Sequence, residues 1–195
     1  MPYDVFVVGN DVEFDVKPEH GIDYLHWNPD PQEYVMARVY RAWNALLEHC
    51  ESEWVVLINS DMVVSDHWLD ELWVQRDGPG IPTSLLVEPG TVPSAYPEYV
   101  RDFGTSPETF DWDGWAAHAA SLRQPGHVGT GQLYMPCLLH RETALQVGGY
   151  PNQLPGGCPG DIEFFQDRLQ QPNRLCFGSI CYHCGPFGEA GRVYG

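Results

Sequence analysis

The chain has 195 residues, 27 of them acidic and 10 basic, for a net charge of −17. That length suits one domain with a real hydrophobic core. The acidic balance, with its basic residues scattered, excludes a partner held by its phosphate backbone, because nucleic-acid affinity rests on Lys and Arg; a divalent cation and a small substrate remain compatible with it.

No stretch approaches the length of a membrane span, and no charged-then-apolar leader precedes Val5, so a soluble, cytoplasmic protein is the expectation. Six cysteines occur, at 50, 137, 158, 176, 181 and 184. "CYHC" holds a Cys-x-x-Cys, but a structural zinc site needs a second pair that Cys158 and Cys176 do not supply. Free, mostly buried thiols in a reducing compartment are expected.

In chain order, Tyr3 to Val8 reads as a buried strand, with Gly9 to Asp11 as its turn, and Ile22 to Trp27 as a weaker strand. From Val35 a helix follows: Val35, Val39, Ala42, Trp43, Leu46 and Leu47 share one face at a 3.6 period. Trp54 to Val63 ("WVVLINSDMV") is an apolar run interrupted by Asn59-Ser60-Asp61. It reads as a strand buried on both faces, as in the middle of a parallel sheet. Ligands meet such sheets at the carboxyl ends of the strands, where Asp61 stands; a plain polar turn is the other reading.

Ser65 and Asp66 look like the cap of a helix carrying Trp68, Leu69, Leu72 and Trp73, and Thr83 to Glu88 looks like another strand. Residues 89–129 differ in character, being rich in Pro, Gly and aromatics. They read as an insert or lid over the sheet's binding edge, with a Ser-Pro helix start at "SPETF" and a short helix at "DWDGWAAHAA". Gly131 to His140 is strand-like, Arg141 to Gly149 a helix closed by Gly148, Asp161 to Gln170 an amphipathic helix, and Arg174 to His183 a closing strand. Strands alternating with helices predict one α/β domain, a mostly parallel sheet sandwiched by helices.

Asp61 ends one strand, His183 ends another, and Asp161 opens a helix after the glycine-rich "PGGCPG". A carboxylate and an imidazole on neighbouring strand ends suit Mn²⁺ or Mg²⁺ better than a closed zinc site. Taken singly, His183 reads equally as a structural histidine and Asp161 as a helix N-cap.

Together these segments resemble a GT-A glycosyltransferase of the family 2 type. "RAWNALLEHCESEWVVLINSD" is similar to that family's Asn-bearing helix and Asp-x-Asp strand, with Asn44 in the helix and Asn59-Ser60-Asp61 at the motif. "TALQVGGYPNQLPGGCPGDIEFFQDRL" is similar to its Gly-Gly-aromatic segment and acidic helix start, and shares "GGYPN" with the galactosyltransferase branch. "SICYHCG" is similar to its closing strand ending in His.

The resemblance, from about Tyr34 to Gly185, implies a metal-dependent, inverting transfer of a sugar from a UDP- or GDP-sugar to a hydroxyl acceptor. It makes Asp61 and His183 metal ligands, Asn44 and Asn59 donor-side residues, and Asp161 the general base, with Glu163 as fallback. Gly160 stands where the family has Glu, and Gly149 and Gly160 are implied at the substrate. Only one full strand precedes the helix: either this is a compact variant with a shortened N-terminus, or a strand lies outside this sequence, or nucleotide binding is rebuilt from the insert; Asn10 or Asp11 would touch the base. Trp112, Trp115 and His118 offer stacking faces to a sugar or form the core of a small lid. The other reading of the whole chain is a degenerate GT-A fold serving as a carbohydrate-binding or scaffold module, which the Asn59 replacement favours.

Overall fold

The computed structural model describes residues 3–9, 22–26, 35–90, 96–131, 135–151 and 160–185. They belong to two compact units, one of Met1–Val55 with Leu139–Gln171, the other of Val56–Leu138 with Pro172–Gly195.

In the first unit, β1 (Phe6–Gly9) pairs parallel with β2 (Asp23–His26), Phe6 opposite Asp23 and Gly9 opposite His26. Helix α1 (Val35–His49) turns Ala37, Tyr40, Trp43 and Leu47 inward, a stripe at i, i+3, i+6 and i+10. Tyr40 stacks on Tyr150 at 5.4 Å and 7°, and Trp43 tilts against it at 4.9 Å. At the far end of α1, Arg141 Nε donates to Leu47 O (2.7 Å) and Nη2 to Glu48 O (3.2 Å). A guanidinium there satisfies carbonyls the helix leaves without partners.

Arg141 opens α4 (Arg141–Gln146; α2, Trp68–Val74, and α3, Trp112–Leu122, lie in the second unit), whose N-cap is His140, with Nδ1 accepting from Thr143 N–H. Gly148 and Gly149, at φ 82 and 65, close it. Those angles are ones a side chain rarely adopts.

The helix expected from Asp161 has only three α-helical residues, α5 (Gly160–Ile162), before a π-helical stretch at Glu163–Arg168. The wider turn lets Phe164 and Phe165, adjacent in sequence, both reach zero exposure around Tyr150, Phe164 stacked at 4.0 Å and Phe165 edge-on at 5.9 Å. It also brings residues five apart together, as Glu163 and Arg168 demonstrate.

The second unit is built on a mixed sheet, which corrects the mostly parallel expectation. Its centre is β5 (Ile81–Val87), buried at every residue, so β5 and not the Trp54 run is the strand covered on both faces. β5 pairs parallel with β8 (Asn173–His183), from Ile81 opposite Asn173 to Val87 opposite Tyr182, with a register shift between Ser84 and Leu85. β7 (Cys137–His140) runs antiparallel to β5 through Thr83 and Cys137.

β8 carries two further antiparallel partners, β6 (Val128–Gly129) at its start and β4 (Met62–Val64) at its end. The antiparallel β4 was hidden in the apolar run: β3 (Trp54–Leu57) stops at Leu57 with alternating burial, and the polar turn separates it from β4. Strand direction depends on partners far along the chain, which apolar runs do not encode.

Helix α2 (Trp68–Val74) begins after His67, at φ 64, and not with a Ser65 or Asp66 side-chain cap. "SPETF" forms a turn; α3 (Trp112–Leu122) starts at Asp111, whose Oδ1 accepts Gly114 N–H at 3.0 Å. The insert gives Phe103, Phe110, Trp115 and Ala119 to a core shared with Leu85, Val87, Ile180 and Tyr182. Among the described residues no helix is long and apolar enough to cross a membrane.

Candidate functional site

Successive residues of a strand face opposite sides, and the end of β8 uses this. Tyr182 turns into the aromatic core against Phe103, Phe110 and Trp115. His183 turns the other way and meets two carboxylates. Its Nε2 lies 3.2 Å from Asp61 Oδ2 and its Nδ1 3.0 Å from Glu88 Oε1.

Asp61 is carried there by the β4–β8 ladder: Met62 pairs with His183, and Cys184 N–H donates to Asp61 O at 2.8 Å. Glu88 follows the last residue of β5 and is 3 % exposed. The two predicted metal ligands are thus in contact, and the third member of the cluster was missed. Its signal was available: a carboxylate just past an apolar strand, the feature that singled out Asp61.

Burial opposes a charge on His183, but hydrogen bonds and charge from Asp61 and Glu88 outweigh it, and the imidazole is pushed up to about 9. The two carboxylates thus favour the charged form of the ring.

Asp61 and His183 are the residues that would hold a divalent cation, which would have to displace the proton between them. The side chains of Asp61 and His183 are 24 % and 17 % exposed, so one side of the pair reaches solvent. Among the described residues no group of three or more His, Cys, Asp or Glu is placed to hold a metal ion. Mg²⁺-type sites commonly use one or two carboxylates and leave the rest to substrate phosphates and water.

Cys181 and Cys184 are free and buried. Burial first, then nearby charge including that of Asp61, raises both thiols. Cys158 lies outside the described residues.

The remaining predicted residues fall as follows. Asn59 lies in the β3–β4 turn, two residues before Asp61. Trp115 is 3 % exposed, filled in on Tyr182's side of β8, while Trp112 is 56 % exposed beside Phe110. Asn10 and Asp11 lie outside the described residues.

In the first unit, Asn44 clamps the Gly-Gly-Tyr corner. Its Nδ2 donates to Tyr150 O (2.9 Å) and its Oδ1 accepts Tyr150 N–H (2.7 Å). A Cβ on Gly149 would come within 2.3 Å of that Oδ1. Gly160 is held to glycine by Tyr40, which leaves 2.4 Å for a Cβ; a Glu there would need Tyr40 to move. Glu163 is already bound to Arg168, at 3.1 and 2.6 Å. Asp161 is half-buried, its Oδ1 accepting the Ile162 N–H.

No protein-family model and none of the curated proteins compared matches this chain. Among solved structures, it is similar to GalNAc-T7 crystallised with UDP, GalNAc and Mn²⁺, with a TM-score of 0.57 and 12% identity. The match covers 92% of this chain and 37% of that one, so the chain spans little more than a third of that structure's length. The fold is GT-A-like. At this identity the likeness bears on the fold alone, and the chemistry rests on the residues.

Proposed function

We propose that the chain is a metal-dependent, inverting glycosyltransferase moving a sugar from a nucleotide-diphosphate donor, UDP- or GDP-linked, to a hydroxyl acceptor. The observation that carries this reading is the contact of Asp61 with His183 at the solvent-reaching ends of β4 and β8.

Asp61 and His183 would hold Mn²⁺ or Mg²⁺, which when bound supplies positive charge to the departing diphosphate. Asn59, without a charge of its own, offers only a hydrogen bond to donor or cation. Asp161 takes the acceptor hydroxyl's proton. Its fallback, Glu163, is the poorer base, because Arg168 already occupies its carboxylate. One base and no covalent partner give direct displacement, with inversion at the anomeric carbon. Trp112, exposed, keeps a face for a sugar; Gly149 and Gly160 shape the backbone ahead of Asp161.

The test is thermal stabilisation by a panel of UDP- and GDP-sugars with and without Mn²⁺. Stabilisation by at least one donor in the presence of Mn²⁺, lost in Asp61→Ala, is expected. An Asp61→Ala protein that binds a donor with unchanged metal dependence ends the assignment of Asp61.

A second reading, a non-catalytic carbohydrate-binding or scaffold module on the same fold, is favoured by one observation. Among the described residues no group of three or more His, Cys, Asp or Glu is placed to hold a metal ion, and Asn59 stands in place of an acid. No stabilisation by any donor would select it.

A further inference from the structure

The cation reading leaves open what aims the imidazole. A histidine ring has two nitrogens, and one of them is free to serve a ligand in a fixed direction only if the other is committed. We propose that Glu88 is the positioning residue of this site: its buried carboxylate takes the His183 Nδ1–H and turns Nε2 toward Asp61. The inference rests on the proposed function for its consequence, and on geometry for its substance.

Glu88 Oε1 stands 3.0 Å from His183 Nδ1, and the Glu88 side chain is 4 % exposed. A carboxylate is costly to bury without a partner, and His183 is its side-chain partner among the described residues. Flipping the ring would break this bond and the Asp61 contact together.

The backbone of Glu88 is fixed from both sides. Its N–H donates to Tyr99 O at 3.3 Å, and its carbonyl accepts Arg101 N–H at 2.9 Å. Those bonds form a parallel bridge to Val100 in the insert. Two residues on, Gly90 sits at φ 86, where a Cβ would meet Val100 Cγ1 at 2.9 Å. The start of the insert, with its short 3₁₀ turn at Pro97–Tyr99, therefore works as a brace for this carboxylate. An isolated polar residue at a strand end would not require one.

The experiment pairs two measurements on the whole chain, wild type and Glu88→Gln, with Glu88→Asp as the conservative variant. Ring-¹⁵N histidine NMR on metal-free protein reads which His183 nitrogen holds a protected proton. Electron paramagnetic resonance of free Mn²⁺ reads cation binding without any sugar donor.

The wild type is expected to show a protected Nδ1 proton. Glu88→Gln is expected to shift both ring nitrogens and to weaken Mn²⁺ binding about 10- to 100-fold, with part of the loss restored in Glu88→Asp. An unmoved ring spectrum or unmoved Mn²⁺ affinity in folded Glu88→Gln overturns the proposal. Should Glu88→Gln fail to fold, a wild-type Nδ1 without a protected proton overturns it equally. A wild type that binds no Mn²⁺ removes the cation reading instead, and the ring spectrum then decides Glu88 by itself.

Discussion

Two polar networks in this chain use similar side chains and reach opposite balances. Around Arg168, one guanidinium meets one carboxylate, Glu163, and also donates from Nη1 to Gly149 O (3.0 Å) and Gly148 O (3.5 Å). Asn44 completes the same corner by binding both backbone groups of Tyr150. Charge there is balanced, and the bonds are spent on the chain's own backbone. Around His183, two carboxylates share one imidazole, so even the protonated ring leaves a net negative charge. The first network closes a corner. The second is short of positive charge and partly open to solvent.

That contrast predicts loss of stability without loss of ligand at the first network. Asn44→Ala strands the N–H and C=O of Tyr150, whose residue has 0% exposure. At about 1–3 kcal/mol for each buried group, the cost is about 2–6 kcal/mol, read as a fall in urea midpoint. Mn²⁺ binding by the folded fraction should not change; a selective loss of Mn²⁺ binding would erase the contrast.

The second network should make stability depend on pH. His183 is raised from 6.5 to about 9, so the folded state holds its proton more tightly than the unfolded chain. Its contribution is complete below about pH 6.5 and is lost as pH rises through about 9. With 1.36 kcal/mol per pKa unit, this is ~3 kcal/mol. Urea titrations in EDTA across that window should show the decline, and Asp61→Asn should move it to lower pH. A wild type with flat stability from pH 6.5 to 9 would mean that the two carboxylates do not share the ring.

The smallest effect belongs to Arg168→Met. Glu163 and Arg168 are each about 30% exposed, so water takes over much of the pair and the loss is about 1 kcal/mol. Donor-sugar and Mn²⁺ binding should stay as in the wild type. A stability loss several times larger would show that the guanidinium, and not Asn44, is the main support of the Gly-Gly corner.

Much of this was legible from local pattern. The 3.6 period marked α1, the apolar runs marked β5 and β8, and carboxylates or imidazoles just past such runs marked Asp61 and His183. Asn44 was singled out by resemblance, and the structure gives the position a physical content: an amide with one donor and one acceptor that matches the N–H and C=O of a single residue. Other features were not local. Trp112 and Trp115 look alike in "DWDGWAAHAA", yet one is exposed and the other packs beneath Tyr182, because only the sheet decides which side of α3 is covered. The π-helical turn at Glu163–Arg168 likewise answers to Tyr150, which both Phe164 and Phe165 must reach.

What the sequence by itself determined is the set of chemical groups and the strand or helix end on which each stands, since hydrophobic period and chain punctuation are short-range properties. What the tertiary structure decided is who meets whom. His183 finds Glu88 across 95 positions and Asp61 across 122, through one parallel and one antiparallel pairing with β8. Those pairings are selected by burial of whole strand faces, and no window of neighbouring residues carries that information.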